Sequence, residues 1–74
     1  MDPVITFGAT APPIDEQLRS QGYKLDMDPL DRGYLQRDAD EVTRLAVRSV
    51  LTQSERDKAR WRLVRIIRKQ AKPL

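Results

Sequence analysis

The longest stretch of this 74-residue chain without glycine or proline runs from Tyr34 to Lys72 and covers more than half of it. Glycine and proline are the residues that most often interrupt helices, so their absence leaves this stretch free to be helical. Apolar residues recur in its first half at the spacing of one helix face. These residues are Leu35, Ala39, Val42, Leu45, Ala46 and Val50. We therefore predict an all-α fold.

Two features of this stretch favour a stop between two helices over one continuous helix. Heptads counted from Leu35 place three polar residues in succession where a coiled coil prefers apolar ones. These residues are Ser49, Thr52 and Arg56. Thr52 and Glu55 also have the spacing of a capping box, which begins a helix. We predict a turn at Leu51-Thr52 and an antiparallel helical hairpin of residues about 30–51 and 53–71, with one bent helix as the alternative.

The first hairpin helix has a start signal followed by a weak point. Asp28 is a favourable N-cap, and Pro29 suits the first helical position. Gly33 weakens the following turn by up to about 1 kcal/mol. Regular helix therefore starts either at about residue 30 or only near Tyr34 or Leu35.

The N-terminal third combines a short helix with a leader. Pro13 suits a first turn and Gly22 a stop, which predicts a helix over about 13–21. Residues 1–12 hold glycine and proline and little charge, which indicates a flexible leader or arm ahead of a single small helical domain at 13–74. The leader is either disordered or extended. Disorder is the ordinary interpretation of such a segment, and the alternative is an arm whose apolar residues, Val4, Ile5 and Phe7, pack on a neighbouring subunit.

Composition excludes several kinds of chemistry. The chain has no cysteine and no histidine, which removes disulfides, the common zinc sites and the usual nucleophile–base pairs. It also lacks a calcium-binding D-x-D-x-D-G loop and a glycine-rich phosphate loop. We expect no metal, no cofactor, no small-molecule substrate and no enzymatic activity. A core this small supplies roughly 3–5 kcal/mol, so helix packing or oligomerisation must stabilise the fold.

The sequence shows no segment for membrane insertion or secretion. No apolar run approaches the ~18 residues that a membrane span requires, and the N-terminus lacks the basic and apolar regions of a signal peptide. Together with the cysteine-free composition, this favours a cytoplasmic protein that does not bind membranes.

Charge is divided unevenly along the chain. Residues 1–51 carry six basic and nine acidic side chains, for a net charge of −3, whereas residues 52–74 carry eight and two, for +6. At 100° per residue, five cations of the last helix share one side, here called the basic face. Its members are Lys58, Arg62, Arg65, Lys69 and Lys72. Such a line of cations suits contact with phosphates, although basic side chains near a helix C-terminus also stabilise the helix dipole.

The last helix has two further faces. One carries Ala59, Leu63, Ile66, Ile67 and Gln70 and is expected to pack on the preceding helix. The other carries Asp57, Trp61, Val64 and Arg68. Trp61 either packs on the leader or the first helix, or anchors a partner, because tryptophan is common at interface hot spots.

These features favour a small non-catalytic protein-interaction module, adaptor-like or regulator-like, that self-associates as a homodimer or higher oligomer. The candidate partner-binding residues are Val4, Ile5, Phe7, Trp61 and Val64. The alternative is an accessory nucleic-acid-binding protein that contacts the phosphate backbone through the basic face.

Overall fold

The computed structural model describes residues 2–47 and 52–74. Within them the chain is mostly helical, with three helices and a small two-stranded sheet. The elements in chain order are α1 (Ile14–Ser20), β1 (Tyr23–Leu25), α2 (Pro29–Val47), α3 (Gln53–Gln70) and β2 (Ala71–Pro73). None of the helices in these ranges is long and apolar enough to cross a lipid bilayer.

Helix α1 lies within the range predicted for it. Pro13 occupies its N-cap position, and Asp15 and Glu16 lie in the first turn, where carboxylates interact favourably with the helix dipole. The helix ends before Gly22, which has a φ of 87°. Glycine adopts this left-handed conformation without the steric cost that a Cβ imposes, so the chain can turn directly into β1.

Helix α2 begins at Pro29, directly after Asp28 and within one residue of the predicted start at about residue 30. The expectation that regular helix would start only near Tyr34 was wrong. The Arg32 amide donates to the Asp28 carbonyl at 2.9 Å, which closes the first turn. The cost of Gly33 is small beside the stabilisation that α2 gains by packing on the other elements. The predicted end of this helix and Leu51 of the predicted turn lie outside the described residues.

Helix α3 begins with the predicted capping box. The Glu55 amide donates to the Thr52 hydroxyl at 3.2 Å, and the Thr52 amide donates to the Glu55 carboxylate, also at 3.2 Å. These two bonds satisfy amides that the first turn of a helix leaves without partners.

The two-stranded sheet was not predicted from the sequence. After Gln70 the backbone becomes extended at Ala71 (φ −74°, ψ 128°), which ends α3 one residue before the predicted limit. The antiparallel register pairs Tyr23 with Pro73, Lys24 with Lys72 and Leu25 with Ala71. The fold is therefore not purely helical, because the C-terminal residues pair with β1.

Pro73 is compatible with this sheet because of its position in the ladder. Two main-chain hydrogen bonds flank the sheet: the Leu74 N–H donates to the Gly22 carbonyl at 3.0 Å, and the Asp26 N–H donates to the Gln70 carbonyl at 2.9 Å. Antiparallel pairs alternate between bonded and non-bonded positions, so Pro73 falls at a position whose N–H points away from β1. The missing donor costs no sheet hydrogen bond.

All three helices and β1 contribute to one apolar core within the described residues, and α2 packs against α3. Its buried members are Ile14, Leu18, Leu25, Leu35, Ala39, Leu63 and Ile67. Val42 and Leu45 of the predicted α2 stripe are partly buried, while Ala46 and Val50 lie outside the described side chains.

The predicted core face of α3 was only partly right. Leu63 and Ile67 are buried, whereas Ala59 and Gln70 are half-buried. Ile66 is 41% exposed, because it lies 100° around the helix from Ile67, on a flank that the core does not cover.

Candidate interaction surface of the leader and α3

Two glutamines of α1 and the turn after it hold the leader in an extended conformation. The Val4 amide donates to Gln21 Oε1 at 2.8 Å, and Gln21 Nε2 donates back to the Val4 carbonyl at 2.7 Å. Gln17 makes the same pair of bonds with Thr6, at 2.8 and 3.0 Å. Residues four apart on a helix rise about 6 Å, and residues two apart on a strand about 6.6 Å, so the two spacings match.

Gln17 is the more deeply buried of the two glutamines, with 7% of its surface exposed. Its Nε2 also donates to the Pro12 carbonyl at 2.8 Å. A side-chain amide offers one acceptor and two donors, so Gln17 satisfies both main-chain groups of Thr6, in the middle of the leader, and the carbonyl of Pro12 at its end. Sequence reasoning did not single out Gln17 or Gln21, although their i, i+4 spacing beside an apolar leader was visible.

The leader presents alternating faces, as an extended chain does. Val4 and Thr6 are exposed, whereas Ile5 and Phe7 are half-buried and pack against the core. Residues 4–7 of the leader thus show the alternation of an extended chain, whereas the chain turns at Gly8, whose carbonyl accepts from the Ala11 amide. Two of the leader's three apolar side chains contact the chain's own core.

A hollow of about 250 Å³ lies between the leader and α3, and it brings together all five predicted partner-binding residues. We call it the leader–α3 hollow. It is lined by Val4, Ile5, Phe7, Asp57, Arg60, Trp61, Val64 and Arg68. The face of α3 that carries Trp61 and Val64 thus borders the leader.

Arg68 links Trp61 to the start of the leader. Its guanidinium carbon lies 5.8 Å from the centroid of the Trp61 ring, within the range of a cation–π contact. Its Nε donates to the carbonyl of the buried Pro3 at 3.4 Å. Trp61 nevertheless stays 58% exposed. The indole borders the leader, and a large part of its surface faces solvent.

One edge of the leader has main-chain groups without partners. The glutamines bond the N–H and C=O groups of Val4 and Thr6, which in an extended chain point to the opposite side from those of Ile5 and Phe7. Within the described residues, the N–H and C=O groups of Ile5 and Phe7 make no hydrogen bond. We call these four groups the open edge.

The basic face is largely formed by α3. Lys58, Arg62, Arg65 and Lys69 are all exposed, and they span twelve residues, or about 16 Å along the helix axis. Arg62, Arg65 and Lys69 form neither a hydrogen bond nor an ion pair with the described residues. Lys58 lies near Glu55. The hydrogen bond from the Thr52 backbone is the main cause that lowers the pKa of the Glu55 carboxyl, and the positive charge of Lys58 makes the smallest contribution.

Lys72 does not belong to this helix face, contrary to the sequence prediction. The backbone leaves the helix after Gln70 to pair with β1, so Lys72 lies opposite Lys24 in the sheet. The basic face therefore has four members on α3, and a separate pair of lysines lies on the sheet.

In the described parts of the chain, no group of three or more acidic side chains converges to hold a metal ion. Comparisons with protein-family models, with curated proteins and with solved structures found no match to this chain. The features of the structure that bear on function are the hollow, the open edge and the basic face.

Proposed function

We propose that this protein is a non-catalytic interaction module that associates with a second copy of itself through the leader–α3 hollow. The observation that carries this proposal is the exposure of two large apolar side chains at the hollow, Val4 at 68% and Trp61 at 58%. Burying such surface contributes about 25 cal/mol per Å², and tryptophan is enriched among residues that dominate binding energy.

We propose in addition that α2 and α3 form the antiparallel hairpin expected from the sequence. Five residues separate Val47 from Gln53. Leu35 near the start of α2 and Ile67 near the end of α3 belong to the same core cluster. A short connection and shared contacts between opposite ends of two helices both support an antiparallel arrangement.

The experiment compares two exposed aromatic side chains that have similar surroundings. Trp61 lies beneath Arg68 at 5.8 Å, and Tyr34, which is 53% exposed on α2, lies beneath Arg37 at 5.9 Å. In analytical ultracentrifugation, Trp61→Ala weakens self-association at least about tenfold, the equivalent of about 1.4 kcal/mol. Tyr34→Ala leaves it unchanged. Equal effects of the two substitutions, or none, would contradict the assignment of the surface.

A second candidate function is contact with a phosphate backbone through the basic face. The observation that favours it is the absence of acidic partners for Arg62, Arg65 and Lys69 among the described residues. Cations that are not compensated within the fold remain free to neutralise phosphates, and such binding depends little on base sequence.

A further inference from the structure

We propose that the open edge is the element through which two copies bind: the leader of one copy pairs with the leader of the other as an antiparallel strand. The two-fold axis passes beside Thr6. This inference deepens the proposed self-association and rests on it. It names the atoms that form the contact and the register in which they meet.

The hydrogen-bonding pattern of the leader selects this contact. The main-chain groups of Val4 and Thr6 are already bonded by Gln21 and Gln17. Those of Ile5 and Phe7 point the other way and lack partners among the described residues. In an antiparallel pair, Ile5 exchanges both of its bonds with Phe7 of the second copy, and Phe7 does the same with Ile5, which gives four main-chain hydrogen bonds.

The ends of the leader restrict the register. Pro3 has no N–H, and its carbonyl accepts from Arg68. The Gly8 carbonyl accepts from the Ala11 amide at 3.1 Å, where the chain turns. Moving the two-fold axis to Ile5 would place Phe7 opposite Pro3 and lose bonds, whereas an axis at Thr6 satisfies the open edge of both copies.

The second copy is the occupant that this edge fits best, because the edge is self-complementary. Each copy offers two donors and two acceptors in the same spacing, so a two-fold axis pairs all of them. Residues 3–13 carry no charged side chain, so two leaders meet without repulsion. The register also places the exposed Thr6 beside Thr6 of the second copy, and paired threonines are favourable across strands.

A disulfide trap tests the register, because the chain contains no cysteine of its own. Residues in a non-hydrogen-bonded antiparallel pair have Cα atoms about 4.5 Å apart, which permits a disulfide. In the proposed register the two Thr6 positions form such a pair. Val4 is also exposed but lies two residues from the axis, so the two Val4 positions are offset by about 13 Å along the strands.

Thr6→Cys and Val4→Cys variants of the 74-residue chain are oxidised at the same micromolar concentration in a glutathione buffer, and the wild type is sedimented alongside. The expected result is roughly tenfold more disulfide-linked dimer for T6C than for V4C. Equal cross-linking of both variants overturns the register. A wild type that dimerises while T6C stays unlinked overturns leader pairing and leaves self-association standing. A wild type that is monomeric throughout overturns both.

Amide hydrogen exchange of the unmodified chain gives an independent reading that does not depend on how the cysteine variants fold. The Ile5 and Phe7 amides are expected to exchange faster on dilution, as the dimer dissociates. The Thr6 amide is bonded within the chain by Gln17, so its exchange should change much less. The proposal is contradicted if the exchange rates of the Ile5 and Phe7 amides stay constant over the protein concentrations at which the dimer dissociates.

Discussion

The side-chain amide of Gln17 bonds both the N–H and the C=O group of Thr6, at 2.8 and 3.0 Å, as a neighbouring strand would. The two residues lie eleven positions apart in sequence, so the contact fixes the leader on α1. Gln21 repeats the arrangement at Val4. Together these bonds decide which edge of the leader is used within the fold and which is left open.

Removing the buried amide should cost more stability than removing the exposed one. Gln17→Ala leaves the Thr6 and Pro12 groups without their partner in a half-buried setting, which we expect to lower the free energy of unfolding by about 1–3 kcal/mol. Gln21→Ala exposes its partners to water and should cost about 0.5–1 kcal/mol. Urea denaturation of both variants measures the difference. A larger loss for Gln21→Ala would contradict the role given to Gln17.

Two adjacent isoleucines provide a test of the core. Ile67 is fully buried, whereas Ile66 is 41% exposed. Ile67→Ala should lower the free energy of unfolding by about 2–5 kcal/mol, because it removes core contacts and leaves a cavity. Ile66→Ala should cost less than about 1 kcal/mol. Similar losses in thermal or urea unfolding would mean that α3 is rotated relative to the core described above.

Much of the helical architecture could be predicted from the sequence because local signals decide it. The capping box at Thr52 and the glycine stop at Gly22 act over a few residues, and both are found where they were expected. The start of α2 was predicted to within one residue, but a weak first turn at Gly33 was wrongly expected because the cost of the glycine was weighed without the packing that offsets it. Ile66 was misassigned because helical spacing alone does not say how wide the covered face is.

The sheet and the leader could not be predicted in the same way. Each strand has three residues, and their pairing joins positions nearly fifty residues apart, such as Lys24 and Lys72. No local pattern specifies such a contact. The five candidate partner-binding residues were chosen for their apolar character, and the structure places them around one hollow. The glutamines that position the leader were missed because a polar residue on a short helix is ordinarily solvated.

The capping box should make stability depend on pH in the acidic range. The Thr52 backbone N–H, followed by the Thr52 side chain, lowers the pKa of Glu55 below its ordinary value of 4.5. The ionised carboxylate therefore stabilises the fold fully above about pH 4.5, and this contribution disappears as the pH falls through the lower folded-state pKa. The stability difference between wild type and Glu55→Gln should shrink as the pH is lowered below 4.5. A difference that stays constant down to pH 2 would contradict the capping interaction.

The hydroxyl half of the capping box can be tested against a neighbouring hydroxyl. Thr52→Ala should lower the free energy of unfolding by about 0.5–2 kcal/mol, because it removes the acceptor for the Glu55 amide. Ser54 lies two residues later, is exposed and makes no side-chain hydrogen bond within the described residues, so Ser54→Ala serves as the control. Chemical denaturation measures the free energy of unfolding of both variants. A larger loss for Ser54→Ala than for Thr52→Ala would refute the capping assignment.

The basic face predicts a defined salt dependence if it binds nucleic acid. Each neutralised phosphate contributes about −0.9 to the slope of the logarithm of the binding constant against the logarithm of salt concentration. Four neutralised phosphates therefore give a slope of about −3.6 on duplex DNA. Fluorescence anisotropy of a labelled duplex measures this slope. The variant R62Q/R65Q/K69Q should retain a slope of only about −0.9, from Lys58, and should lose most of its affinity for the duplex.

A second triple variant controls for net charge. R19Q/K24Q/R37Q removes the same number of cations from exposed positions on α1, β1 and α2, and it should keep the wild-type slope. Equal losses in the two triple variants would show that binding follows net charge rather than the basic face. Absence of binding by the wild type at low salt would exclude the second candidate function.

The most direct test of self-association through the leader–α3 hollow is the fluorescence emission maximum of Trp61 across a dilution series. Trp61 is the only tryptophan in the chain, and it lies at the proposed contact. The 8.6 kDa chain should move from dimer to monomer on dilution. We predict that the emission shifts to longer wavelength over the same concentrations, as the indole loses the second copy and becomes more exposed to water. A constant emission maximum while the sedimenting mass halves would place the contact elsewhere, and a single monomeric species at every concentration would contradict the account.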